Sequence, residues 1–483
     1  MYIRNLVSAI CLLLISAISV GQQITIDGKF TNSPDPVIVA TMPINGNQFS
    51  GAKVDIPLDT LTGDFKLSYK ISKPGFVTLT NNWQQVRLYV QPGKSYHLQA
   101  NMQDFSTLQI TGAEQEGQVL LQQLGLSEDT RTDAARLDSV KTVTARIHTA
   151  DAIAQEKKAA MEKLKVAGKI STGFYNAVND AIDLYRVNLL STNFFFEFRQ
   201  REETPAAVKE FMQTYLPEWK KLYANFNTNH NWLHAAGYSS LLGRYASFQN
   251  IADSGRLIFA RGNYALNGIN QFRKSLKGSM LEYAWAEYMV MGIGQQLFEP
   301  EWIDNFAAFR KAFPASALTS KLQPYITKVV AYQEAARKKD PAIQLLPGYE
   351  SMQSLSEVFA ALKGQVTYID LWATWCVPCR AELQYSIKLH DTLKTLGVQT
   401  VYISIDVENA DKKWREMIQQ LPLKGINLRT SNELHKDVSK VIPKFTGIPR
   451  YLILDKAGNV VEWDAKRPSD NLDLIRQLKT YLN

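Results

Sequence analysis

The chain has 483 residues, of which 45% are apolar, 21% charged and 11% aromatic. This balance excludes a disordered chain and supplies material for several buried cores; at roughly 100–200 residues per domain the length predicts two to four domains. The formal net charge is +8, but the basic residues are scattered in short runs such as Arg337–Lys339, and without a basic stripe nucleic-acid binding is not expected.

The opening residues, MYIRNLVSAICLLLISAISVGQQ, read as a secretory leader. Arg4 supplies the positive start, Leu6 to Val20 is a short apolar run, and Ser19 and Gly21 are the small residues that precede a cleavage after Gly21. A spanning helix needs about 20 apolar residues, so residues 1–21 are expected to be removed rather than to anchor the chain. The expected location is the periplasm or cell envelope. Cys11 lies inside the run, and Ile10 stands where a lipoprotein signal has a small residue. With Cys11 gone, Cys376 and Cys379 are the remaining thiols. One pair in so long an exported chain is not a disulfide framework.

Residues 22–112 carry short runs such as ITIDGKF, VIVATMP, FKLSYKI and VRLYVQPG, separated by Gly, Pro, Asn and Asp. Short β-branched or aromatic runs with such punctuation predict an antiparallel β-sandwich. Its His97 reads as a strand-face residue. Over residues 113–339 apolar residues recur at three- and four-residue spacing, which predicts an all-helical region. Pro205, Pro217, Pro300 and Pro314 punctuate the later helices. Aromatic clusters such as NFFFEF and YAWAEYM are expected in its core. In HNWLH, His230 and His234 stand one helical turn apart, as two metal ligands would. Asn231 occupies the place where a His-Glu-x-x-His zinc protease has its Glu, and no metal site is expected.

Residues 340–348, with two prolines and a terminal Gly, read as a linker or an extended crossing segment. The remainder, 349–483, reads as an α/β unit: QVTYIDLWA and VQTVYISID as buried strands, RYLILDKAGNVVEW as a hairpin, and a closing helix with Ser469 as its N-cap. Parallel strands followed by a terminal hairpin and a last helix are the order of a thioredoxin fold.

The stretch DLWATWCVPCRAE, Asp370 to Glu382, carries the chemistry. Cys376 falls where a strand gives way to a helix, and the unpaired amides and dipole of a helix start favour an anion. Its thiolate is therefore stabilised and its thiol pKa depressed. Cys379 follows one turn on and is expected to be the more buried. Pro378 is tolerated because the first helical turn has no N–H bond to lose. Trp375 lays a flat apolar surface beside an exposed nucleophile. A structural zinc needs four ligands, and no second cysteine pair is present. A staple closing so short a loop restricts the unfolded chain little. Redox exchange remains, with no cofactor beyond the two thiols. Asp370, at the end of a strand that is apolar on both faces, is expected to be buried with a raised pKa and to move a proton to or from Cys379. Glu382 is a second candidate proton carrier. Pro449 in TGIPRYLIL is expected to be cis and to leave the Ile448 backbone free to pair with an incoming peptide.

The C-terminal portion resembles the extracytoplasmic TlpA-like group of thioredoxin-fold thiol–disulfide oxidoreductases, on DLWATWCVPCRAE, GIPRYLILDKAGNV and RPSDNLDLIRQL. The resemblance implies that Cys376 attacks, Cys379 resolves, Pro449 shapes the peptide site, and Asp370 and Glu382 tune the protons. It also implies a reductant acting on disulfide-containing envelope proteins and supplied by a membrane thiol donor; the uncharged Val377 between the cysteines agrees with that direction. The sandwich and helices look like extensions attached to this domain in some Gram-negative bacteria. Two rivals are a peroxidase of the same fold and a partner-binding protein with a subsidiary redox domain. The peroxidase motif is absent, because Ile369 and Ala373 occupy its Pro and Thr positions.

Overall fold

The computed structural model describes residues 21–482 apart from 128, 227, 236, 258–263 and 297; the expected leader, Gly21 aside, lies outside the described residues. The chain divides into two compact units, the second running Tyr288–Asn483.

In the first unit, β1 (Gln22–Thr31), β2 (Val37–Thr41), β3 (Lys53–Pro57), β4 (Asp64–Ile71), β5 (Gly75–Asn81), β6 (Gln84–Val90), β7 (Ser95–Asn101) and β8 (Asp104–Gly112) form two four-stranded sheets, ordered β4-β1-β7-β8 and β3-β2-β5-β6. Alternation places Ile24 and Ile26 of one sheet and Ile38, Val77 and Leu88 of the other in one shared core. The expectation of an antiparallel arrangement needs a correction: β1 pairs β7 in parallel, Thr25 opposite Ser95. Alternation reports which face of a strand is buried, and both strand directions give the same alternation. His97 faces out of β7 beside Asp27, as a strand-face residue does.

Helices follow, the longest at Thr172–Arg201. Ser171 caps its start by accepting the Phe174 N–H. Phe194, Phe195, Phe198, Tyr283 and Trp285 are buried, so these aromatic clusters belong to the core. His230 and His234 do not share a helical face. They lie on and just after a 3₁₀ turn, where His230 meets the Ser279 hydroxyl and His234 the Gly46 carbonyl.

The second unit is built on a six-stranded sheet ordered β14-β13-β10-β11-β12-β9. Its strands are β9 (Ile343–Leu345), β10 (Thr367–Trp372), β11 (Gln399–Ser404), β12 (Gly425–Arg429), β13 (Arg450–Leu454) and β14 (Val460–Glu462). β9 to β12 pair in parallel, and β13 runs antiparallel to both β10 and β14. Every residue of β10 is buried, as its near-continuous apolar run requires of a central strand. The expected linker at 340–348 is instead an edge of this sheet, because Gly425 to Asn427 pair with Ile343 to Leu345. Two prolines and a glycine bound that segment; the Ile343 N–H turns back to the Asp340 carbonyl, and the three strand residues pair with a strand distant in sequence. The helices Glu301–Ala312 and Thr319–Arg337 belong to this same unit.

Candidate active site

β10 delivers the chain to the start of the helix Val377–Thr395. Cys376 is the N-cap, and its sulfur accepts the Cys379 N–H at 3.2 Å. Pro378 falls in the first turn, where no helical N–H is lost. The helix ends in a Schellman turn: Gly397, at φ +77°, donates to Lys394, and Val398 donates to Leu393. The helix start therefore presents an amide directly to the first cysteine. Cys376 and Cys379 are joined as a disulfide, with Cα atoms 5.3 Å apart.

Cys379 is 1% exposed, as expected, but Cys376 is only 4% exposed rather than an open nucleophile. The neighbours project instead: Trp375 is 62% and Val377 42% exposed, forming an apolar rim. The Ile448–Pro449 bond is cis. The Ile448 carbonyl oxygen lies 3.9 Å from Cys376 Sγ, and the Ile448 N–H has no hydrogen-bond partner among the described residues. Cys376, Ile448 and Pro449, far apart in sequence, thus meet at one edge of the cysteine helix.

Asp370 is 1% exposed, and neither of its oxygens has a hydrogen-bond partner of ordinary geometry. Burial holds its carboxyl well above the usual carboxylate range; the Glu382 charge pushes the same way, and the Ser386 hydroxyl opposes both. Tyr402 of β11 and Tyr451 of β13 stand directly opposite it in the sheet, so it is walled by aromatic rings on both sides. Cys379, Glu382 and Ser386 recur at helical spacing, which sets the second cysteine and the acid on one side of the helix.

Glu382 is placed differently from a free proton carrier. Its carboxylate accepts the Ser469 N–H at 3.1 Å and the Ser469 hydroxyl at 2.9 Å. Ser469 is accordingly not the N-cap of the last helix. It sits in a 3₁₀ turn, Pro468–Asp470, and Asn471 at φ +45° precedes the helix Leu472–Lys479.

Three site residues escaped the motif reading. Thr374, Arg380 and Asp406 are all buried around the loop into Cys376. Asp406 accepts the Thr374 N–H and hydroxyl, each at 2.8 Å, and Arg380 donates to the Thr374 carbonyl. The available signals were an arginine beside Cys379 and a polar residue closing a buried strand; neither reveals its partner. Among the described residues no group of His, Cys, Asp and Glu is arranged to hold a metal, and no helix is long and apolar enough to cross a membrane.

This sheet order, with a cysteine pair at a helix start facing a cis proline, defines a thioredoxin-like redox domain. Residues 335–474 match the Redoxin family model. Thiol-disulfide oxidoreductase ResA of Bacillus thuringiensis subsp. konkukian is 30% identical over 101 residues, which cover 21% of this chain and 54% of that protein. Thioredoxin-like protein YneN of Bacillus subtilis is 30% identical over 95 residues, covering 20% of this chain and 51% of that protein. The chain spans about half the length of the curated relatives it matches. The solution structure of a Bacteroides vulgatus protein described as a thiol-disulfide oxidoreductase is 32% identical, covering 26% of this chain and 75% of that one, with a TM-score of 0.22.

Proposed function

We propose that the chain is an extracytoplasmic thiol–disulfide oxidoreductase of the TlpA-like kind that reduces disulfides in envelope proteins. The observation that carries this reading is the Cys376–Cys379 pair at a helix start, with the Cys379 amide on Cys376 Sγ and the Ile448 carbonyl beside it. In the reduced protein that amide faces a thiolate and favours it. The Cys376 thiolate attacks one sulfur of a substrate disulfide, forming a mixed disulfide and releasing one substrate thiolate. Cys379, deprotonated, then attacks Cys376 Sγ, forms the intramolecular disulfide and releases the second substrate thiol. Two electrons pass to the substrate, and a membrane dithiol donor restores them. Asp370, buried on the Cys379 side of the helix, accepts the Cys379 proton in this step from its ionised form, for which its raised pKa gives it a high proton affinity. The free Ile448 N–H and the Trp375 rim receive the extended peptide on either side of its disulfide. Glu382 orients the Pro468–Asp470 turn and raises the affinity of Asp370 for its proton.

Insulin reduction with the full chain tests this reading. Cys376→Ala is expected to abolish turnover, and Cys379→Ala to accumulate mixed disulfides with envelope proteins. Unchanged turnover in Cys376→Ala would reject it as the nucleophile.

A further inference from the structure

Thr374 stands two residues before Cys376, and buried side chains hold all three of its polar groups. Asp406, 1% exposed, takes the N–H and the hydroxyl; Arg380, also 1% exposed, takes the carbonyl. Each holder is itself fixed. The Ser404 hydroxyl donates to Asp406 at 2.6 Å, at the end of β11. Arg380 Nε donates at 2.9 Å to the carbonyl of Gln295, in the turn after the helix Gly278–Gly294. One turn further along the cysteine helix, Gln384 donates to the Gln296 side chain at 3.2 Å and to the Tyr332 hydroxyl at 3.3 Å.

A buried arginine and a buried aspartate most simply offset their desolvation by pairing with each other. These two do not: among the described residues they form no direct ion pair, and both hydrogen-bond to Thr374, one on each side of its backbone. Burial works against the Arg380 charge, and Glu299 and Asp406 support it from a distance. The arrangement serves the geometry of one loop, and that loop carries the first cysteine.

We propose that Arg380 and Asp406 are positioning residues for the cysteine pair: they lock the Thr374 peptide so that Cys376 Sγ stays over the Cys379 amide. Through the Gln295 carbonyl the lock reaches the segment ahead of the redox domain, so residues outside the matched family segment form part of the scaffold of the site. The role of the lock in turnover rests on the exchange reading above; its effect on Cys376 does not. The charged groups around the pair are Asp370 from β10, Glu382 and Arg380 from the cysteine helix, Asp406 after β11, and Glu299 from the preceding segment.

The full chain is reduced and Cys376 is alkylated with iodoacetamide at pH 7, alongside redox equilibration with glutathione. Arg380→Met and Asp406→Asn remove opposite charges but loosen the same residue, Thr374. If they act by position, both slow alkylation, by about tenfold for one unit of thiol pKa. Both also favour the disulfide, by about 30 mV per tenfold change in equilibrium constant. Arg380→Lys, which keeps one donor, recovers part of the loss. Opposite shifts in the two variants, as charge alone would produce, overturn the proposal, and so does unchanged alkylation in folded variants. If both fail to fold, Thr374→Val decides: it removes only the hydroxyl bond, and about two- to fivefold slower alkylation is expected from the loss of roughly 0.5–1 kcal/mol. No change in that variant also overturns the proposal. A wild-type chain that shows this alkylation pattern but cannot reduce insulin defeats the exchange reading and leaves the lock standing.

Discussion

Asp370→Asn separates a buried proton carrier from an ordinary strand-end carboxylate. The side chain is 1% exposed with no hydrogen bond of ordinary geometry to either oxygen, and burial is the largest cause of its raised pKa. Below about pH 4, the ordinary aspartate value, the carboxyl is protonated in both the folded and the unfolded chain. As the pH rises, the unfolded chain releases this proton and the folded chain keeps it. The stability present below the unfolded pKa is therefore lost progressively until the pH passes the raised folded value. The amide variant has no such loss. Its advantage over the wild type is expected to grow from about pH 4 to pH 8 by on the order of 1–3 kcal/mol, the cost of an unpaired buried polar group. Hydrogen exchange of oxidised protein, followed by mass spectrometry on peptides from β10, reads this locally. The two proteins are compared at each pH, so titrations they share cancel. The expected gap in protection at pH 8 is about 5- to 150-fold. A gap that is the same at pH 4 and pH 8 would refute the reasoning, because no proton would then be retained by folding. The same variant is expected to slow resolution of the mixed disulfide by about 10²–10⁴-fold, the usual weight of a placed acid–base group; unaltered resolution would remove Asp370 from the mechanism.

Trp375→Ala is expected to leave stability within about 0.5 kcal/mol, as surface changes do, since the side chain is 62% exposed. It is expected to raise KM for a peptide disulfide several-fold at unchanged kcat, and a fall in kcat with KM constant would contradict a role in binding. Ser469→Ala and Glu382→Ala remove the same contact between the Pro468–Asp470 turn and the cysteine helix. Each is expected to cost about 0.5–1.5 kcal/mol, and the double variant little more than the larger single one; full additivity in urea denaturation would show that the two side chains act independently.

The separate parts of the site were legible because they are local. A Cys-x-Pro-Cys run after a buried strand specifies a helix start with a cysteine at its cap, and the helix forms there from its own backbone and capping chemistry. The six-residue β10 is apolar or aromatic except at Thr367 and Asp370, which marks a central strand and places Asp370 within it as a buried carboxyl. The cis bond at Pro449 was expected because a thioredoxin fold places a cis proline just before this hairpin strand.

What lay beyond the sequence is what depends on distant partners. Ser469 reads as a helix cap by its neighbours, yet a carboxylate 87 residues away takes its N–H and hydroxyl. Nothing in its neighbours marks Arg380, yet it is buried and donates to a carbonyl 85 residues earlier. The β1–β7 pairing is parallel, and residues 340–348 form a sheet edge instead of a linker. Local periodicity dictates which groups are turned inward. Which partner meets an inward polar group is decided by packing, because a buried donor or acceptor must be satisfied by whatever the tertiary fold brings within reach.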